Sequence, residues 1–105
     1  MEHGARAGHG EYKIPGGKLV VVDLRVEAGR LRGVQVSGDF FLEPAEALDR
    51  VDAALEGLAA DAGEEALAAV VAAALRHAQA FGLSAEGVAV AVRRAIVAAR
   101  AGAAP

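Results

Sequence analysis

Lys18 has the most suggestive chemical setting in the chain, since it follows Gly16 and Gly17 on a turn. A lysine there could approach a phosphate or carboxylate delivered by a partner's active site. Pro15-Gly16-Gly17-Lys18 is not a phosphate loop, because it lacks the full spacing, the following Ser or Thr, and a helix to supply its dipole. Asp39 sits beside Gly38, where an aspartate commonly bonds its own turn. A solvated surface lysine and a turn aspartate explain both positions without function. Tyr12 reads as a half-buried strand residue. His3, His9 and His77 are too dispersed for a local metal site, and the chain has no cysteine, so no metal centre is expected. No serine has a neighbouring histidine and acid. Asp61, Glu64 and Glu65 read as helix-start charges rather than paired catalytic carboxylates. No catalytic residue is expected.

The elements that carry these residues must fit within one core, because 105 residues is near the usual size of a single domain. Hydrophobic residues make up 54%, but alanine swells the figure and aromatics are only 4%. The core should therefore be aliphatic, with each large apolar side chain mattering more. A net charge of -3 argues against a nucleic-acid partner, which would call for a basic face. The glycines and charges of Met1 to Gly10 lack the apolar run of a secretory signal. The longest uncharged apolar run, Ala66 to Leu75, is about half of the roughly 20 residues needed to span a bilayer. These features predict a cytoplasmic protein with no membrane partner.

Near Pro44 the apolar period changes from about two residues to about 3.6, so strands precede helices. Val20, Val22, Leu24 and Val26 alternate with Asp23, Arg25 and Glu27, while Leu19 to Val22 is apolar on both faces. Ala28-Gly29 suits a hairpin turn into a return strand through Val34 and Val36. Leu31 has the opposite parity from those valines, which suggests a bulge at Gly33. Glu11 to Ile14 supplies a short third strand. After Pro44, read as a first-turn proline, Leu48, Val51, Leu55 and Leu58 mark one helix, with Glu46 and Arg50 able to pair outside. Asp61-Ala62-Gly63-Glu64 announces a second helix, running through Leu67, Val71, Leu75 and Ala78 to a Phe81-Gly82 end. Ser84 caps a third, with Val88, Val92 and Ile96 as its stripe and Arg93, Arg94 and Arg100 toward its C-terminal end. The expected fold class is α+β, a small antiparallel three-stranded sheet followed by about three helices packed on one face.

Three pieces of the first half occur in order: Gly10-Glu11-Tyr12-Lys13, Gly17-Lys18-Leu19, and Gly38-Asp39-Phe40-Phe41-Leu42-Glu43-Pro44. At this hairpin-compatible spacing, with helices following, they resemble the C-terminal domain of lipoate-protein ligases. Leu55-Glu56-Gly57-Leu58 sits where that family has a leucine-glycine helix end, so the resemblance runs from about Gly10 to Arg100. It implies one domain over 10–101, a flexible N-terminal arm over 1–9 and a tail over 102–105. It also implies a two-step activity, in which lipoate and ATP give lipoyl-AMP and pyrophosphate before the lipoyl group passes to a lysine of a carrier domain. The adenylate-binding arginine-arginine and glycine-rich motif and lysine of that family's larger domain are absent from this sequence. The expectation is a non-catalytic accessory subunit whose partner is a catalytic ligase subunit and, indirectly, lipoyl carrier domains. Lipoate, ATP and magnesium would be used by the complex, with no cofactor bound by this chain alone. The chain opens with its own methionine and little sequence precedes the motif, as in a split ligase whose small domain is a separate polypeptide. A fragment of a longer ligase is the alternative.

Phe40 and Phe41 are neighbours in an expected strand, so they point to opposite faces. If helices cover one face, one phenylalanine emerges on the other and, with Leu19 to Val22, forms an apolar patch beside the Gly38-Asp39 turn. Tyr12, Lys18, Asp39, Phe40 and Phe41 are therefore the partner-interface candidates. A helix or the N-terminal arm folded over that face would instead complete an ordinary core. A different class of reading is a general α+β interaction module that uses the same face on itself to form homo-oligomers. A small iron-sulfur assembly factor of similar architecture would lack its usual cysteine ligand.

Overall fold

The computed structural model describes residues 5–102, so His3, with residues 1–4 of the expected arm and 103–105 of the tail, lies outside the described residues. The elements are β1 (Arg6–Lys13), β2 (Leu19–Glu27), β3 (Arg30–Gly38), β4 (Phe41–Glu43), α1 (Ala47–Leu55), α2 (Glu64–Ala74), β5 (Gln79–Phe81) and α3 (Ala85–Ala101). The fold is α+β, as the change of apolar period predicts. Strands β1, β2 and β3 form an antiparallel sheet in that order, and β4 and β5 form a separate two-stranded sheet.

The β2–β3 hairpin turns at Ala28 and Gly29, with φ values of 51° and 75°, the positive-φ pair that matches the twist of flanking strands. Gly33 has φ of +61°, and the pairing slips between Asp23 and Arg25, which face Gln35 and Arg32 respectively. This bulge is why Leu31 and Val34, of opposite parity, are both buried.

The first strand is longer than its sequence suggests. It starts at Arg6 rather than Glu11, so residues 6–9 belong to the sheet and not to a flexible arm. Gly8 and Gly10 make this part of the sequence look like a loop, yet they serve a different purpose. A Cβ on Gly8 would run into the carbonyl of Ala95, and one on Gly10 into the backbone of Ala91 and Ala95. The glycines let α3 lie directly on β1, against the buried alanines 91, 95 and 99.

The core is aliphatic: Val20, Val22, Leu31, Val51, Leu55, Leu67, Val71, Val88, Val92 and Ile96 are fully buried, and no aromatic joins them. Ser84 caps α3 as expected, its Oγ accepting from the Gly87 N–H at 3.0 Å. Arg93 and Arg94 do not simply serve the helix dipole. Arg93 donates to the carbonyls of Ala60 (2.9 Å) and Ala62 (3.1 Å), fixing the approach to α2, and Arg94 donates to the Glu11 carbonyl at 3.0 Å.

Other helix boundaries differ from their sequence signals. Pro44 stands in a turn, its carbonyl accepting from Ala47, and α1 begins at Ala47 rather than at the proline. Glu46 and Arg50 are joined through the backbone rather than as an ion pair. The N-cap of α2 is Gly63, with no side-chain cap, so Asp61 forms no capping box. That helix ends at Ala74, and Gln79–Phe81 leaves the helical path to become β5. Gly82, at φ of +81°, follows this strand and does not cap α2. A strand of three exposed residues carries no alternation, so the aliphatic run before it reads on as helix.

The outer edge of β3 is sealed by the end of α1 and the segment after it. Leu31 exchanges backbone hydrogen bonds with Leu58 and Gly57, at 2.9 and 2.7 Å. The Glu56 carboxylate accepts from the N–H groups of Gly33 (2.9 Å) and Val34 (3.1 Å), and Asp52 accepts from Val36 (3.0 Å). These two bonds hold the Glu56 carboxyl below its ordinary pKa, Gly33 contributing most. Partial burial pushes Asp52 the other way, upward, against the bond from Val36.

Candidate functional site

The small β4–β5 sheet exposes aromatic side chains. Phe41 pairs with Phe81 across the ladder, Leu42 with Ala80, and Glu43 with Gln79. The alternation of β4 buries Leu42 and turns Phe41 outward. Phe40, just before the strand, packs half-buried on the core. Phe41 is 59% exposed and Phe81 53%, and their rings lie 6.0 Å apart at 42°, in contact with each other yet largely open to water. Beside them a groove of about 280 Å³ is lined by Ser37, Phe40, Leu42, Ala45 and Leu48 among others.

Backbone contacts draw the turn residues to this end. The Lys18 N–H donates to the Gly82 carbonyl at 2.9 Å, and the stem of Lys18 lies against Gly82, next to Phe81. Val20 is opposite Gly38, which has φ of +151° and packs on the Leu19 carbonyl and the Phe40 ring. Leu19, Lys18 and Asp39 are exposed, so Lys18, Asp39, Phe40 and Phe41 gather at one end of the molecule together with Leu19 and Phe81. Tyr12 is not part of this surface. It packs half-buried against the core, with the Arg94 guanidinium 4.9 Å from its ring centroid.

Phe81 is hidden from sequence reasoning, since Phe81-Gly82 reads as the end of a helix. Its type was the available signal: it is the only aromatic after Phe41 in a chain with three phenylalanines and one tyrosine.

On the sheet face away from the helices, His9 lies opposite Asp23 in the β1–β2 register. Its Nδ1 is 2.6 Å from Asp23, and its Nε2 is 2.7 Å from Glu11. Hydrogen bonding to Glu11, then to Asp23, raises its pKa. Both ring nitrogens are thus engaged by carboxylates, and among the described residues no group of three or more His, Cys, Asp or Glu is arranged to hold a metal ion. Among these residues, too, no helix is long and apolar enough to cross a membrane.

No protein-family model and no curated protein matches the sequence. Among solved structures, the fold matches a chain from an archaeal lipoylation system, described as a bi-partite lipoate protein ligase and its E2 lipoyl domain from Thermoplasma acidophilum. The match has a TM-score of 0.64 at 21% identity and covers 85% of this chain and 94% of that one. At that identity the likeness establishes a shared fold.

Proposed function

We propose that this chain is a non-catalytic accessory subunit of a two-component lipoate-protein ligase. It works with a separate catalytic subunit in the ATP-dependent activation of lipoate to lipoyl-AMP, which precedes transfer to a lysine of a lipoyl carrier domain. The observation that carries the reading is the fold shared over nearly the full length of a chain from a bi-partite ligase system. The aromatic end of the molecule supports it, because a paired, water-exposed Phe41 and Phe81 beside a groove is a surface suited to association. In this reading lipoate, ATP and magnesium belong to the catalytic subunit's site, and the accessory chain acts by docking and closing that site. Closure excludes water and orders the reactants without requiring catalytic groups from the chain that closes.

The test is lipoate-dependent pyrophosphate release by the catalytic subunit with and without this chain. Release only when both are present is the expected result. Identical release in its absence would refute a role in adenylation. Light scattering on the isolated chain addresses the homo-oligomer reading, which requires a species larger than the monomer.

A further inference from the structure

We infer that the groove beside Phe41 receives a basic segment of the partner polypeptide, one that offers an apolar anchor flanked by lysine or arginine. The inference rests on the accessory-subunit reading and adds the chemistry of the contact. From Val34 to Asp49 the chain carries Asp39, Glu43, Glu46 and Asp49 and no lysine or arginine. Asp39, Glu43 and Glu46 are all exposed, and they alternate in sequence with the groove residues Phe40, Leu42 and Ala45. None of the three enters a side-chain hydrogen bond or ion pair among those formed by the described residues. Their charge is left to act on something outside the chain. Lys18 adjoins this end, and Lys13 beside it gives its Nζ to the carbonyls of Ile14 and Gly17.

An apolar floor of about 280 Å³ has room for one or two side chains, not for a folded domain. The aromatic pair widens it into a surface, and the acidic rim selects the sign of what lands on it. Charges at an interface rim act mainly on the encounter rate and on partner choice, while the apolar centre holds the complex together. A second copy of this chain would bring the same acids against themselves, which favours a partner of opposite charge over self-association.

The experiment measures association with the catalytic-type ligase subunit from the same organism, by surface plasmon resonance at low and high salt. It uses the full chain, its E43K/E46Q variant and its Phe41→Ser variant. A thermal melt of each confirms that the variants fold. For the unaltered chain, the on-rate should fall with salt. In E43K/E46Q it should drop roughly tenfold at low salt and lose most of its salt dependence. In Phe41→Ser the off-rate should rise by at least about tenfold. As a control, E64Q/E65Q removes the same kind of charge from the start of α2, away from the groove, and should leave binding unchanged. Wild-type rates in E43K/E46Q would overturn the basic-segment inference while leaving the accessory reading intact. No association by the unaltered chain would overturn both. A homodimer that Phe41→Ser dissociates would give the groove to a second copy and overturn the inference.

Discussion

Glu56 is one residue past the end of α1, yet its main structural work is done on β3, and replacing it by alanine measures that work. Its two carboxylate oxygens accept from Gly33 at 2.9 Å and Val34 at 3.1 Å, where the bulge leaves consecutive N–H groups facing away from β2. Hydrogen bonds to a charged group are worth about 1.5–3 kcal/mol each when protected from water. Glu56 is exposed, so solvent takes over part of that role in the variant, and about 0.5–1 kcal/mol per bond is the appropriate scale. Glu56→Ala should therefore cost about 1–2 kcal/mol near neutral pH, or a fall in Tm of roughly 5–10 °C for a domain of this size. The sign with pH follows from the depressed pKa: the contribution is complete above the unfolded value of 4.5 and is lost as pH falls through the lower folded value. Urea unfolding of both proteins at pH 7 and pH 3 checks both statements. Equal stability at pH 7, or a gap that widens in acid, would refute the assignment of Glu56 as the lock on the β3 edge.

Three further outcomes follow from the geometry. Gly8→Ala would drive a methyl group into the Ala95 carbonyl on α3, so it should destabilise by about 3 kcal/mol in urea titrations. Phe41→Ser should change stability by less than about 0.5 kcal/mol, because the ring is exposed, whereas Leu42→Ala, one residue along and buried, should cost about 2–4 kcal/mol. His9 should titrate above 6.5 by NMR, and because its folded pKa is raised, its stabilising effect is present below 6.5 and lost as pH rises through the folded value. His9→Gln should abolish that part of the pH dependence.

The sequence made the sheet legible wherever side chains alternate or backbone geometry demands glycine. Ala28-Gly29, the Gly33 bulge, the β2 stripe and the Ser84 cap were readable because each has a local cause. The misread features have non-local causes. Gly8 and Gly10 look like loop residues until α3 is seen lying on them, and Gln79–Phe81 looks like helix until β4 appears beside it. The same holds at the candidate site. Phe40 and Phe41 could be assigned to opposite faces from their adjacency, but only the fold brings Phe81 to 6.0 Å from Phe41 and moves Tyr12 under Arg94. Glu56 carries no local sign that it bonds a strand more than twenty residues earlier.

The way the fold treats its sheet edges bears on where a partner would sit. An unpaired edge strand offers backbone groups to any other strand, and this chain blocks the β3 edge of its main sheet. On β3 the blocking groups are the carboxylates of Asp52 and Glu56 and the backbone of Gly57 and Leu58. On β1 the glycines bring α3 down onto the face of the strand, and Arg94 takes up the Glu11 carbonyl. Association through strand addition is thus disfavoured at β3. The two-stranded β4–β5 sheet is treated differently, since its two phenylalanines meet at a tilt and stay largely open to water. A bare aromatic pair of this kind fits the proposed accessory role through a contact made by side chains rather than by an added strand. That is the form of contact that truncating Phe41 can break without unfolding the protein.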